Sequence, residues 1–504
     1  MSDTPEHAAR MSTGLLGLDH VLRGGLPVGH VYLVHGGPGS GKTTLSLQFL
    51  REGVANGERT LYVSLLQTAN ELDDVLASHG WNRDGIELLE FPEVIRERSI
   101  EEQTLFTTAE VELHAASDAI LGAISRVRPQ RMVLDSVGEL AVLVEGSYSL
   151  RRQLLKLKMA LDRIGCTALF TYGQGETDLQ ALQTLVHGVI RLEQHTPEFG
   201  SPHRRLLVSK MRGMSYLGGY HDFRIRTGGL EVHPRIEITA PPAAAGWGPV
   251  SSGHQELDAM VGGGLEKGTS CLVTGTTGAG KSTLATVYAM AAAERGERSV
   301  IFCFDEGRET FLRRSTGLGI PITRYVDQQL VAVRQVDVSE MPPGEFSHVV
   351  RRAVDDHDVK IVVIDSLSGY IHSMPTAQAL AVQLHELLSY LSQRGVLTFL
   401  ILTVHGVSGQ QVTTEVDASY LADTVILMRH FEAAGRIRRC ISVVKKRHGR
   451  HETTIRELMM GPTGIQIGPV LAEFSGVLTG TPQYHGTSDV LLSNRSGPAP
   501  EGHA

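Results

Sequence analysis

A glycine-rich octapeptide occurs twice in this chain, at equivalent places in two long copies of one pattern. The first reads Gly36-Gly37-Pro38-Gly39-Ser40-Gly41-Lys42-Thr43 and runs on into Thr44. The second reads Gly275-Thr276-Thr277-Gly278-Ala279-Gly280-Lys281-Ser282 and runs on into Thr283. Both satisfy G-x-x-x-x-G-K-[ST], in which backbone N–H groups can turn toward phosphate oxygens without a Cβ in the way. The two lysines lie 239 positions apart. The same offset aligns Ser12-Thr13-Gly14 with Ser251-Ser252-Gly253, Leu18-Asp19 with Leu257-Asp258, Gly24-Gly25-Leu26 with Gly263-Gly264-Leu265, and Gly29 with Gly268. Collinearity over this length means duplicated whole domains, because solenoid repeats are much shorter.

Each copy follows one grammar. A β-branched run (30–35; 269–274) leads into the glycine loop, and an alanine- and leucine-rich helical stretch follows it (44–55; 283–295). A second short apolar strand comes next (60–66; 299–304), and later an apolar run ends in Asp135-Ser136 or Asp365-Ser366. A further strand follows a helix (167–172; 397–404). Strands alternating with helices predict an α/β fold, a mainly parallel sheet with helices on both faces in each copy. The proline- and alanine-rich stretch at 238–246 reads as a linker between an N-terminal domain, 1–237, and a C-terminal domain, 247–480. The Gly-, Ser- and Pro-rich end, 481–504, reads as a flexible tail.

The loops assign chemistry to named residues. The two glycine loops, from Gly36 through Thr44 and from Gly275 through Thr283, are expected to bind ATP. Lys42 and Lys281 reach the β- and γ-phosphates, while Thr43 and Ser282, with Asp135 and Asp365 at strand ends, ligate Mg²⁺. The copies differ after the second strand: Asp305-Glu306 stands where the offset places Leu66-Gln67. An acidic pair can take a proton from an attacking water or hydroxyl, whereas leucine cannot and glutamine is a very poor base. Unequal sites are therefore expected, with binding in the N-terminal copy and chemistry in the C-terminal one. The bland alternative is that Asp305 and Glu306 merely cap the next helix. Near the end of each copy a basic pair follows a strand, Lys210 with Arg212 and Lys445 with Arg447, spaced to share one face. Taken alone, such pairs read as solvated surface charge; their duplication and the resemblance described below favour an arginine-finger role on a neighbouring subunit's γ-phosphate. Arg313-Arg314 and Arg438-Arg439 read as ordinary exposed charge or minor interface contacts, and the histidines lack zinc-site spacing.

Composition narrows the field. The net charge is −8 and only 5% of residues are aromatic, which argues against a nucleic-acid groove with stacking platforms. Cys166, Cys271, Cys303 and Cys440 are far apart with no C-x-x-C pair, as expected of buried reduced thiols in a cytoplasmic protein. No run of eighteen apolar residues is present, and residues 1–10 have no apolar signal core, so no membrane association is expected.

These motifs together resemble the KaiC family of circadian-clock ATPases, over about residues 11 to 480. The resemblance rests on both glycine loops, both Asp-Ser strand ends, Asp305-Glu306, the two basic pairs and the S-T/S-G-x-x-x-L-D openings. It implies two tandem RecA-like P-loop NTPase domains and a homo-hexamer of two stacked rings, with ATP at subunit interfaces. It also implies ATPase activity, serine/threonine autokinase activity in the C-terminal ring, and a KaiB-like or signalling-kinase partner. Ser419 falls on the family's phosphoacceptor serine, Tyr420 stands where the family has threonine, and Thr414 matches a further family threonine. The lack of an acidic pair at Leu66-Gln67 favours a signalling switch over a self-sustained oscillator. Two alternatives from other classes are a RecA-type DNA-dependent ATPase and a non-catalytic scaffold assembled by ATP.

Overall fold

The computed structural model describes residues 9–91, 109–142, 147–173, 176–196, 201–237, 248–337, 340–372, 377–404, 420–433, 435–462, 464–478 and 482–486. Ser419, Thr414, the linker segment 238–246 and most of the expected tail lie outside them. The chain divides into two units, Met1–Arg235 and Ile236–Ala504. Of the expected tail, 482–486 is docked: Phe474 and Ser475 pair with Tyr484 and Gln483, and the Phe474 and Tyr484 rings lie 4.9 Å apart.

Each unit is built on one nine-stranded sheet. In the N-terminal unit the strands are β1 (Val31–Gly36), β2 (Thr60–Ser64), β3 (Ile86–Glu90), β4 (Arg131–Asp135), β5 (Thr167–Tyr172), β6 (Gly188–His195), β7 (His203–Met211), β8 (Tyr220–Arg226) and β9 (Gly229–His233). Their order is β3-β2-β4-β5-β1-β6-β7-β8-β9. In the C-terminal unit they are β10 (Ser270–Gly275), β11 (Arg298–Cys303), β12 (Val331–Gln335), β13 (Val359–Asp365), β14 (Leu397–Thr403), β15 (Thr424–Ala433), β16 (Arg436–Lys446), β17 (Ile455–Gly461) and β18 (Gly464–Val470). The order β12-β11-β13-β14-β10-β15-β16-β17-β18 repeats the first sheet strand for strand. Six strands of each sheet are parallel, and the last three continue it antiparallel. This is the tandem RecA-like P-loop architecture.

The central parallel strands are mainly apolar because both of their faces are covered. Along β1, Tyr32 and Val34 join one core with Leu45, Leu47 and Phe49, while Val31 and Leu33 join another with Ile120 and Leu157. Alternate residues of a strand thus feed opposite layers of helices. All four cysteines are buried and free. Burial pushes the Cys166 and Cys303 thiols up to about 12, so they behave as small hydrophobes. No helix among the described residues is long and apolar enough to cross a membrane.

The shared S-T/S-G-x-x-x-L-D opening proves to be a loop closure. Asp19 accepts from the Ser12 hydroxyl at 2.8 Å and the Thr13 amide at 2.8 Å, and Asp258 does the same for Ser251 and Ser252 at 2.5 and 2.8 Å. One tie is peculiar to the N-terminal unit. Arg131, 1% exposed, ion-pairs with Glu58 and donates to the Ser12 and Phe49 carbonyls at 2.7 and 2.9 Å. It joins the opening loop, the helix Lys42–Ala55 and β4. Substituting Arg131→Ala strips a carboxylate and two carbonyls of their donor in a largely dry site. The expected cost is roughly 3 kcal/mol, read as a lower urea midpoint by circular dichroism.

Candidate nucleotide sites at the carboxyl ends of the strands

In each sheet the central strand delivers the glycine loop directly into a helix. Gly41 and Gly280 are the N-caps of the helices Lys42–Ala55 and Lys281–Glu294, with φ of 93° and 105°. Only glycine adopts that geometry cheaply, and a Cβ would stand 2.8 Å from Ile225 Cδ1 in one unit and 2.4 Å from Met460 Sδ in the other. The result is two helix N-termini with unsatisfied amides facing the loop, a ready anion cradle. Each loop lysine folds over its own loop. Lys42 Nζ donates to the Gly36 and Gly37 carbonyls at 2.8 Å, and Lys281 Nζ donates to the Thr276 carbonyl at 2.8 Å. Burial lowers both ammonium groups, Lys281 to about 8, against the opposing pull of Asp135 and Asp365.

The strand-end aspartates sit where the sequence places them, at the ends of β4 and β13. Thr43 Oγ1 donates to Asp135 Oδ2 at 3.1 Å, and Ser282 hydrogen-bonds Asp365. A hydroxyl and a carboxylate are hard oxygen donors suited to Mg²⁺, with the triphosphate supplying others. Among the described residues no cluster of three His, Cys, Asp or Glu forms a self-sufficient metal cage.

The surroundings of these aspartates differ in a way the sequence reading missed. Asp135 also accepts from the buried Tyr62 phenol at 2.5 Å and from Thr171 at 2.5 Å. Pairing registers put Ile301 and Ile401 at those places in the C-terminal unit. Asp365 is therefore pushed up by burial and by the nearby Glu306 and Asp305 charges, with Ser282 and Arg314 pulling it down.

Asp305 and Glu306 follow β11 beside this aspartate. They do not cap the following helix, Arg308–Gly317, whose N-cap is Gly307 with no side-chain bond. In the N-terminal unit Thr68 does cap its helix, in a capping box with Glu71, and Leu66 stands 66% exposed opposite Asp305. Arg314 is not idle surface charge: its guanidinium grips both Glu306 oxygens, with Nε 3.3 Å from Oε2. The pair spans a loop and two helical turns, so adjacency in sequence gave no signal. Arg438 is likewise paired, with the buried Glu457 at 2.8 Å. Arg439 Nε donates to the Gly278 carbonyl at 3.1 Å, and His430 Nδ1 lies 2.9 Å from the Thr276 hydroxyl, so both rest on the C-terminal glycine loop.

The basic pairs stand at the other end of the sheets. Lys210 donates to the Val186 carbonyl at 2.9 Å and Arg212 to the Thr184 carbonyl at 2.9 Å. Lys445 donates to the Ala422 carbonyl at 2.8 Å, while Arg447 meets the Tyr420 carbonyl at 2.6 Å and Asp423 at 3.3 Å. Lys210 pairs with Val189, which stands beside Leu33 in the middle of β1, whereas the glycine loop leaves the strand at Gly36. Three residues of strand separate those levels, roughly 10 Å.

Two tandem P-loop domains with strand-end carboxylates define the class. The family model for KaiC ATPases matches residues 11–237 and 250–472, and the chain belongs to that family. It is 30% identical over 480 residues to the circadian clock protein KaiC2 of Synechocystis, covering 93% of this chain and 83% of the relative. It is 27% identical over 502 residues to KaiC3 of Synechocystis, covering 95% and 96%. To the circadian clock oscillator protein KaiC of Synechococcus elongatus it is 27% identical over 489 residues, covering 95% and 93%.

Gly369, unnoticed in the sequence, lets the acidic loop close in. A Cβ there would lie 2.6 Å from Phe304 Cβ and 3.3 Å from Asp305 Oδ1. Gly369→Ala should displace the loop at a cost of about 1–3 kcal/mol, seen as a lower melting temperature together with slower ATP turnover.

Proposed function

We propose that this protein is a cytoplasmic, hexameric ATP-driven switch, in which the N-terminal ring binds ATP and the C-terminal ring hydrolyses it and phosphorylates serine or threonine in its own chain. The observation that carries this reading is the asymmetry at the two strand-end aspartates. Asp305 and Glu306 stand beside Asp365, while Leu66, Gln67 and a hydroxyl-bound Asp135 stand at the other site.

The chemistry follows from the groups present. The Gly275–Thr283 loop and Lys281 hold the β- and γ-phosphates, and the Lys281 ammonium balances charge on the transferring phosphoryl group. Ser282 and Asp365 would hold Mg²⁺, which supplies charge neutralisation to the phosphates. The carboxylate at Asp305-Glu306 accepts the proton of the attacking water, or of the Ser419 hydroxyl in the autokinase reaction. The γ-phosphoryl then joins that oxygen and ADP departs. Ser419 is the expected acceptor, with Thr414 as the neighbouring candidate. Lys445 with Arg447 and Lys210 with Arg212 serve a neighbouring subunit's nucleotide, since about 10 Å of strand lies between each lysine's level and its own loop. That separation supports a ring of copies. A KaiB-like protein or a signalling kinase is the partner class the family suggests, and circadian clock function is a property of the named relatives.

Calorimetry should find two ATP bound per chain. Glu306→Gln should lower steady-state hydrolysis about a hundredfold while leaving both sites occupied. Unchanged turnover would favour the ATP-assembled scaffold, and salt-sensitive DNA retention on filters would favour a DNA-dependent motor. Mass spectrometry after incubation with Mg·ATP should place phosphate on Ser419 and lose it in Ser419→Ala. Phosphate found only on distant residues removes the autokinase half of the reading.

A further inference from the structure

The contact between Glu306 and Arg314 has a history legible in the duplication. The helix Arg308–Gly317 corresponds residue for residue to Ala69–Ser78 at the 239 offset. Glu306 then falls on Gln67 and Arg314 on Val75, so both members of the ion pair are neutral together in the N-terminal copy. Val75 packs against the apolar core there, and the Gln67 backbone closes a turn with the Ser64 hydroxyl at 2.6 and 3.0 Å. Neither replacement leaves a lone charge. A residue kept merely as exposed charge need not change in step with Glu306.

The geometry points the same way. The guanidinium engages both oxygens of Glu306, the arrangement that fixes a carboxylate in plane as well as in position. Glu306 is 24% exposed and Arg314 32%, and the arginine also lies over the Phe311 ring at 5.2 Å, which holds its stem. Three carboxylates, Asp305, Glu306 and Asp365, share this corner; the Arg314 charge opposes their mutual repulsion at Asp365, and Lys281 also feels the Asp365 charge. Asp135 has no acidic pair beside it and is met by hydroxyls instead.

We propose that Arg314 is the positioning residue of the C-terminal ATP site, holding Glu306 in its working orientation and allowing three carboxylates to stand together beside the transferring phosphoryl group. This rests on the reading of that site as the one that turns over ATP. Arg314 touches no substrate in this scheme and acts through Glu306.

The test is steady-state ATP turnover of the full-length protein with Arg314→Gln, Arg314→Lys, Arg313→Gln, Glu306→Gln and the double variant Glu306→Gln/Arg314→Gln. Arg314→Gln should lower kcat at least about tenfold, with KM for ATP changed by no more than about twofold. Arg314→Lys should recover part of the loss, and it serves as the probe if the glutamine variant fails to fold. The exposed neighbour Arg313→Gln should match the wild type. The double variant should be no slower than Glu306→Gln alone, because the two residues act as one unit. Wild-type turnover in Arg314→Gln, or a double variant slower than Glu306→Gln by the full Arg314 factor, overturns this role and spares the ATPase reading. A wild type without turnover, or Glu306→Gln at the wild-type rate, overturns both.

Discussion

The placing of one aspartate between neighbouring strands, at the carboxyl end of the strand two places from the glycine loop, is the constraint around which each unit is arranged. A carboxylate lodged between neighbouring strands must be given donors or opposite charge. The N-terminal unit answers with hydroxyls from three elements: Thr43 at the helix start, Tyr62 on β2 and Thr171 on β5. The C-terminal unit places isoleucines at both strand positions and answers with Ser282 and the Arg314 charge. The two solutions differ in consequence. A carboxylate offers about four acceptor positions, and three hydroxyl donors occupy most of them, giving a settled and rigid group. Ser282 bonds Asp365 directly, whereas Arg314 acts on it only through its charge, against the repulsion of Asp305 and Glu306.

Much of this was legible in the sequence because local rules and the global fold agree. The loop glycines mark where a strand must turn into a helix, and the runs ending in Asp135 and Asp365 are strands because both faces are buried. The 239 offset carried the comparison through the second strand and its following helix, and it exposed the Leu66-Gln67 substitution. It failed beyond that point for a structural reason. The stretch joining β2 to β4 is longer than its counterpart, so the offset drops from 239 at the lysines to 230 at Asp135 and Asp365. Past that break the offset of 230 matches Thr171 with Ile401, as the strand pairing does.

The residues missed are of one kind. Arg314, Arg439 and His430 reach their targets across loops or from adjacent strands, and nothing in linear spacing announces such contacts. The pairs Arg313-Arg314 and Arg438-Arg439 read as surface because most arginines outside a motif are, whereas here Arg314 meets a carboxylate and Arg439 a loop carbonyl at a site edge. Gly369 was invisible for the opposite reason: its role is the absence of a side chain where Phe304 approaches.

The antiparallel extension of each sheet adds a last constraint. β7 and β16 run back from the phosphate end, so a residue near their termini is carried away from it, and Lys210 and Lys445 stand level with Leu33 and Leu272 of the central strands. In each case the register slips by one residue just before the lysine, at Val189/Ile190 and at Val425/Ile426, which sets the face on which the basic pair emerges. Loop and basic pair are thus rigidly held apart by the sheet that carries them both. In both units the antiparallel return of the sheet sets the basic pair roughly 10 Å along the strand direction from the glycine loop of its own domain.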